Sequence, residues 1–108
     1  IKNDNYNLIS ISKSKKNPYY NMIEINNKVP NLAKKLKRRI FSRQKAPQVY
    51  DMNASIYIWK RNVLLNLKPI FNKKTTTYIM PENRSYDIDT ELDFKIVEFL
   101  MKQEHRRK

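Results

Sequence analysis

Two aspartates one residue apart, Asp87 and Asp89, stand in the stretch SYDIDTELD at 85–93, which holds four of the chain's ten acidic residues. In extended backbone, residues two apart project to the same side, so these carboxylates share surroundings and repel each other. A divalent cation removes that repulsion. Mg²⁺ is usually held by one or two carboxylates, with waters and phosphate oxygens completing its octahedron. The other acids have a plainer use. Thr90 and Asp93 form a capping box of the [ST]-x-x-[DE] type, and Glu91 adds an acid to a first helical turn, where the helix dipole favours negative charge. Capping accounts for Thr90, Glu91 and Asp93 and leaves Asp87 and Asp89 over.

The chain around this stretch is basic, with 23 Lys plus Arg against ten acids and a formal charge of +13. The excess is unevenly placed: residues 1–81 hold 17 basic and three acidic residues, residues 82–108 six and seven. The densest run is KKLKRR at 34–39, followed by Arg43 and Lys45. Such a run is most often a solvated face, and otherwise a contact for a polyanion, a charged ligand or a neighbouring subunit. Abundant Lys, Asn and Ile with no Gly looks like a general drift of composition, so the total charge carries little functional weight. Without Gly the chain cannot contain a glycine-rich phosphate loop, which needs positive φ or close backbone approach. Without Cys it has no disulfide framework and no thiolate metal site, which fits a reducing compartment such as the cytoplasm. No apolar run approaches the ~18–20 residues of a membrane span, and no signal-peptide pattern is present. At 108 residues and 40% hydrophobic content, the chain suits one small domain or a piece of a larger one. It begins with Ile1 rather than Met, so a missing native start is expected.

The pattern of apolar residues sets the expected elements. Residues 6–12 and 19–25 read as strands, with a turn at Asn26–Lys28 that Pro30 should keep from extending far. Residues 31–40 carry Leu32, Leu36 and Ile40 at helical spacing. ASIYIW at 54–59 is the most hydrophobic run and is expected to be a central strand buried on both faces. Residues 60–67 read as a short helix and 75–80 as a strand ended by Pro81. Thr90–Glu104 is the clearest helix: Leu92, Ile96, Phe99 and Leu100 fall on one face, and Glu91–Lys95 and Glu98–Lys102 are i,i+4 pairs. Four strands and two or three helices make an α/β or α+β pattern.

Residues 43–59, RQKAPQVYDMNASIYIW, and 78–100, YIMPENRSYDIDTELDFKIVEFL, together resemble the C-terminal half of the acylneuraminate cytidylyltransferases, which include the CMP-sialic acid and CMP-legionaminic acid synthetases. NPYYNMIEI at 17–25 resembles one branch of that family, and the likeness runs from about Leu8 to Leu100. It implies an α/β fold: the C-terminal part of a Rossmann-like nucleotidyltransferase domain, with residues of about 20–48 as a dimerisation segment, residues 49–108 as the closing strands and helix, and the N-terminal half absent. It also implies the formation of a CMP-nonulosonic acid from CTP and the free sugar with release of pyrophosphate, Mg²⁺ as cofactor, and a homodimer. By position in the motifs, Asp87 and Asp89 match the metal-binding aspartates. Arg43 and Gln44 match an RQ pair, whose Arg suits a sugar carboxylate through two parallel hydrogen bonds. Asn53 matches a residue near the sugar, and Tyr57 and Phe71 match positions near its acyl group, although from their residue types alone these two aromatics read more readily as core.

Three departures stand beside the likeness. Many members read N-G-A-I-Y where this chain has Asn53-Ala54-Ser55-Ile56-Tyr57, and some carry Lys where Tyr20 stands here. The R-x-G-S-K-type loop that holds the CTP phosphates in the family has no counterpart in a chain without Gly. The expectation is that these 108 residues alone are inactive and leave apolar strand edges uncovered. Two other readings compete: a basic nucleic-acid-binding module, which gives no reason for four acids at a helix start, and a dimerisation fragment without catalysis.

Overall fold

The strand that organises the sheet is one of the more polar. In the computed structural model, which describes residues 4–35 and 46–107, β1 (Asn7–Lys13) runs in the middle of a three-stranded sheet ordered β4-β1-β5, with β4 at Tyr50–Trp59 and β5 at Thr75–Ile79. β1 and β5 are parallel, from Asn7 opposite Thr75 to Ile11 opposite Ile79. Alternation along β1 puts Asn7, Ile9 and Ile11 on one face and Ser10 and Ser12 on the other, and all five are buried. Burial on both faces is the expected condition of a strand with a parallel neighbour. Ile9 and Ile11, with Val63 of helix α1 (Arg61–Leu65), are the buried hydrophobic residues among those described.

This corrects the expectation for 54–59. The run ASIYIW lies in β4, at an edge of the sheet rather than its centre, and Met52, Ile56, Tyr57 and Ile58 are all exposed. A continuous apolar run signals burial on both faces only when other elements cover those faces, and here they meet solvent.

The second sheet is a hairpin of β2 (Ile23–Asn26) and β3 (Val29–Leu32). Its turn residues Asn27 and Lys28 have φ of 51° and 68°, the two positive values that a type I′ turn requires and that match the right-handed twist of the strands. The register pairs Asn26 with Val29 and Ile25 with Pro30. Hydrogen-bonded pairs alternate along an antiparallel ladder, so Pro30 falls at the non-bonded pair and its missing N–H breaks no rung. The helix expected over 31–40 is therefore not formed at its start, because Asn31 and Leu32 are strand residues; residues 36–40 lie outside the described set. The strand expected over 19–25 begins only at Ile23, because Asn17 caps a turn instead: its carbonyl accepts the N–H groups of Tyr20, Asn21 and Met22, and its side-chain oxygen accepts that of Tyr19.

The chain divides into two compact units, residues 13–51, which hold the hairpin, and residues 1–12 with 52–108, which hold most of the larger sheet and the helices. The last helix, α2 (Glu91–Arg106), starts at the Thr90 cap. Ile96 and Leu100 of its expected apolar face are half-buried, whereas Leu92 and Phe99 are 66% and 60% exposed. The molecule is a mixed α/β structure, and among the described residues no helix is long and apolar enough to cross a membrane.

With no Gly to use, the backbone places other residues at positive φ. Ala54, φ 54°, sits inside β4, where the Ile56 N–H donates to the Ser10 hydroxyl, a side-chain acceptor. A strand residue in the left-handed region interrupts the regular pleat at that point. An L-residue there bears a steric penalty that Gly does not. Ala54→Gly is expected to raise stability by about 1 kcal/mol, read as a higher midpoint in thermal unfolding; an unchanged or lowered midpoint would show that the Ala54 backbone is not strained.

Candidate functional site

Asp87 and Asp89 lie on a short irregular segment fastened at both ends. Its trailing end is held by Asp93. The Asp93 carboxylate accepts the backbone N–H of Thr90 at 3.0 Å and of Asp89 at 3.1 Å, and the Asp93 N–H donates to the Thr90 hydroxyl at 3.1 Å. The capping box read from the sequence is thus present with a second amide added. Those bonds favour the ionised form: the Asp89 N–H first, then the Thr90 side chain, hold the Asp93 carboxyl below its ordinary value. A carboxyl whose pKa is lowered on folding contributes stability above the ordinary carboxylate range and loses that contribution as pH falls through the lowered value. Thr90→Ala removes one half of the box and is expected to reduce stability by about 1 kcal/mol, with the loss of helical signal on heating as its measure; a larger penalty than for an ordinary cap would show that Thr90 has a further task.

The leading end is Ser85, which follows a 3₁₀ turn at Glu82–Arg84. The Ser85 hydroxyl donates to the Pro81 carbonyl at 2.9 Å and accepts from the Asn53 amide at 3.4 Å. An ion pair between Arg84 and Glu104 at 3.2 Å joins the turn to α2, although both side chains are more than half exposed and such pairs contribute little. Between these anchors the Asp87 and Asp89 side chains are exposed and have no hydrogen-bond or ionic partner among the described residues. Two exposed carboxylates with all their oxygen lone pairs available fit Mg²⁺, which takes oxygen donors and completes its shell with phosphate and water. Among the described residues no group of three or more acids, His or Cys converges, so other donors must come from elsewhere.

Asn53 is the best-connected residue of the site. It is 6% exposed. Its side-chain oxygen accepts the Ser10 hydroxyl at 2.5 Å, and its amide donates towards Met80 Sδ at 3.1 Å and Ser85 Oγ at 3.4 Å. Tyr57, on the same strand, is 44% exposed, and Phe71 is 65% exposed, so the core reading of these two aromatics does not hold in this chain. Phe71 stands on a loop pinned by a buried residue: the Asn7 amide donates to the Ile70 carbonyl at 2.9 Å, and the Asn7 side-chain oxygen accepts from Thr75 at 2.8 Å and Asn72 at 3.3 Å. Asn53, Tyr57, Phe71, Asp87 and Asp89 all belong to the unit with the larger sheet, and a hydrogen bond ties Asn53 to the acidic segment. Arg43 and Gln44 lie outside the described residues. The sequence reading missed Asn7 and Ser10. The available signal was polar residues recurring inside an otherwise apolar strand, in a position where only partnered polar groups survive burial.

The comparisons with known proteins bear on the whole stretch. No protein-family profile matches the chain. The chain is 46% identical over 103 residues to a post-translational flagellin modification protein B of Campylobacter coli, covering 95% of this chain and 43% of that protein. It is 51% identical over 95 residues to a CMP-N,N′-diacetyllegionaminic acid synthase of Campylobacter jejuni subsp. jejuni serotype O:2, covering 87% of this chain and 39% of that protein. Matches of this length in a chain of 108 residues cannot avoid the region from 43 to 89. The chain spans less than half the length of the curated relatives it matches.

Proposed function

The chain belongs, over the stretch it spans, to the CMP-nonulosonic acid synthetase family, and from that kinship we propose that it is the C-terminal portion of a cytoplasmic, homodimeric cytidylyltransferase that joins CTP to a nonulosonic acid. The observation that carries the reading is the 51% identity to a CMP-N,N′-diacetyllegionaminic acid synthase across a stretch that takes in both aspartates. The mixed α/β architecture, with a parallel pair at β1 and β5, is compatible with the C-terminal part of a Rossmann-like nucleotidyltransferase domain, and residues of about 20–48 are assigned to a dimerisation segment.

In this reading the sugar's anomeric hydroxyl attacks the α-phosphate of CTP and pyrophosphate leaves. Asp87 and Asp89 would hold Mg²⁺, which when bound would supply positive charge against the phosphoryl oxygens. Arg43, whose guanidinium suits a carboxylate through two parallel hydrogen bonds, is assigned to the sugar carboxylate together with Gln44; Asn53 is assigned to the sugar half of the site, and Tyr57 and Phe71, both exposed, to the acyl group. The loop that cradles the CTP phosphates cannot come from a chain without Gly. A metal dyad without that cradle lacks most of the contacts that stabilise a transition state, so the chain contributes one part of the site and not the whole.

Binding of Mn²⁺, a paramagnetic stand-in for Mg²⁺, tests the assignment on the chain as it exists. Amide resonances of residues 86–90 are expected to broaden as Mn²⁺ is added, and the broadening to vanish in Asp87→Asn/Asp89→Asn. Broadening centred anywhere else would remove the metal role from these two aspartates.

A further inference from the structure

One chain of hydrogen bonds crosses the larger sheet in a single donor-to-acceptor direction on each side of Asn53. The Ile56 N–H donates to Ser10 Oγ at 2.9 Å, and the Ser10 hydroxyl donates to Asn53 Oδ1 at 2.5 Å. On the other side, Asn53 Nδ2 donates to Ser85 Oγ at 3.4 Å, and the Ser85 hydroxyl donates to the Pro81 carbonyl at 2.9 Å. Ser10, at 2% exposed, and Asn53 are buried; Ser85 is half-buried. The Ser10 hydroxyl, Asn53 oxygen and Ser85 hydroxyl all have protein partners, and the second Asn53 amide hydrogen faces Met80 Sδ at 3.1 Å. A side chain so engaged has little left to offer a ligand, because an amide provides two donors and one oxygen.

We propose that Ser10, Asn53 and Ser85 form a positioning relay that fixes the segment carrying Asp87 and Asp89 against β4 at Asn53, and that Asn53 acts through this relay rather than by touching the sugar. The positive φ at Ala54 gives the relay its geometry. It directs the Ile56 N–H to the Ser10 hydroxyl, which leaves that hydroxyl's own proton for Asn53. Ser85 lies two residues before Asp87, and the Asp93 carboxylate holds the Asp89 N–H at the far end, so the segment between has an anchor on each side. Removing the Ser85 anchor frees the carboxylates from one side while leaving the capping box of α2 intact. The relay rests on the metal reading only for its purpose; the anchoring itself is a property of the chain.

The test is amide hydrogen exchange on the full 108-residue chain. Ser85→Ala is expected to speed exchange about fivefold at the Ser85 and Asp89 amides, which donate to Glu82 and Asp93, because a local opening is favoured by the loss of one hydrogen bond of about 1 kcal/mol. Exchange within α2 from Ile96 to Lys102 should stay as it was. Ser85→Thr, which keeps the hydroxyl, should restore protection, and Ser10→Ala should reproduce the loosening from the opposite end of the relay. Unchanged exchange at the Ser85 and Asp89 amides in both alanine variants, or loosening spread evenly over α2, would overturn the relay. The Mn²⁺ experiment separates this from the metal assignment: absent broadening in the unaltered chain, with exchange still raised in Ser85→Ala, would sink the metal role and uphold the relay.

Discussion

Asp89→Ala is expected to lower CMP-sugar formation by a factor of about 10² or more when the chain is completed to full length, and Asp93→Ala, four residues on, to leave most of the activity in place. The completed enzyme is a chimera in which the part of the Campylobacter jejuni relative outside the match is joined to this chain; the match covers 39% of that relative. The contrast follows from what each carboxylate does. Asp93 is fully used within the protein, as acceptor for the Thr90 and Asp89 amides, and its removal frays a helix start. The Asp89 side chain has no partner among the described residues, so its loss leaves the helix as it was. Under the proposed function, what is lost is negative charge where a triphosphate-bound cation would need an oxygen ligand. A metal that stabilises charge developing in the transition state affects kcat, so the Asp89 variant should show its deficit at saturating CTP and sugar. Equal and mild effects of the two substitutions would argue against a metal role for Asp89.

The second large effect is an absence of turnover. The purified 108-residue chain, supplied with CTP, Mg²⁺ and a nonulosonic acid, is expected to transfer no label from CTP to the sugar. The reason is geometric rather than a defect of the residues present: the acids stand ready, but no glycine-bearing loop exists to hold the phosphates beside them. Label in a CMP-sugar product would show that the chain has its own means of binding the triphosphate. The basic-module alternative makes a separate claim, that the chain binds nucleic acid tightly and with a steep dependence on salt. Its single support is net charge, and the exposed acids between Ser85 and α2 work against it.

Local features of the fold were legible in the sequence because their causes are local. The capping box needs only Thr90 and Asp93 three residues apart, and both of its bonds are formed. Glu98 and Lys102, one turn apart, close an ion pair at 2.8 Å. The turn after Asn26 was signalled by Asn27, a residue that tolerates positive φ. What the sequence concealed depends on partners far along the chain. Nothing in the pattern of residues 6–12 marks β1 as central, because Asn7, Ser10 and Ser12 interrupt its apolar run; Asn7 and Ser10 are buried with hydrogen-bond partners, Thr75, Asn72 and Asn53, more than 40 positions away. β4 reads as central because its apolar run is long, and it lies at an edge with Ile56, Tyr57 and Ile58 of that run exposed. Leu92 and Phe99 repeat the lesson on α2: helical periodicity identifies an apolar face but not whether anything covers it. The same holds for the site. Spacing singled out Asp87 and Asp89, whereas the link from Asn53 to Ser85 could be found only in three dimensions.

The most direct measurement of the central claim is pyrophosphate release from CTP by the chimera as N,N′-diacetyllegionaminic acid is added. If this chain carries the acidic part of a CMP-nonulosonic acid synthetase site, release rises with sugar, requires Mg²⁺ and accompanies the appearance of the CMP-sugar. A chimera that folds and binds CTP but releases no pyrophosphate in the presence of sugar, while the intact relative turns over, would contradict it.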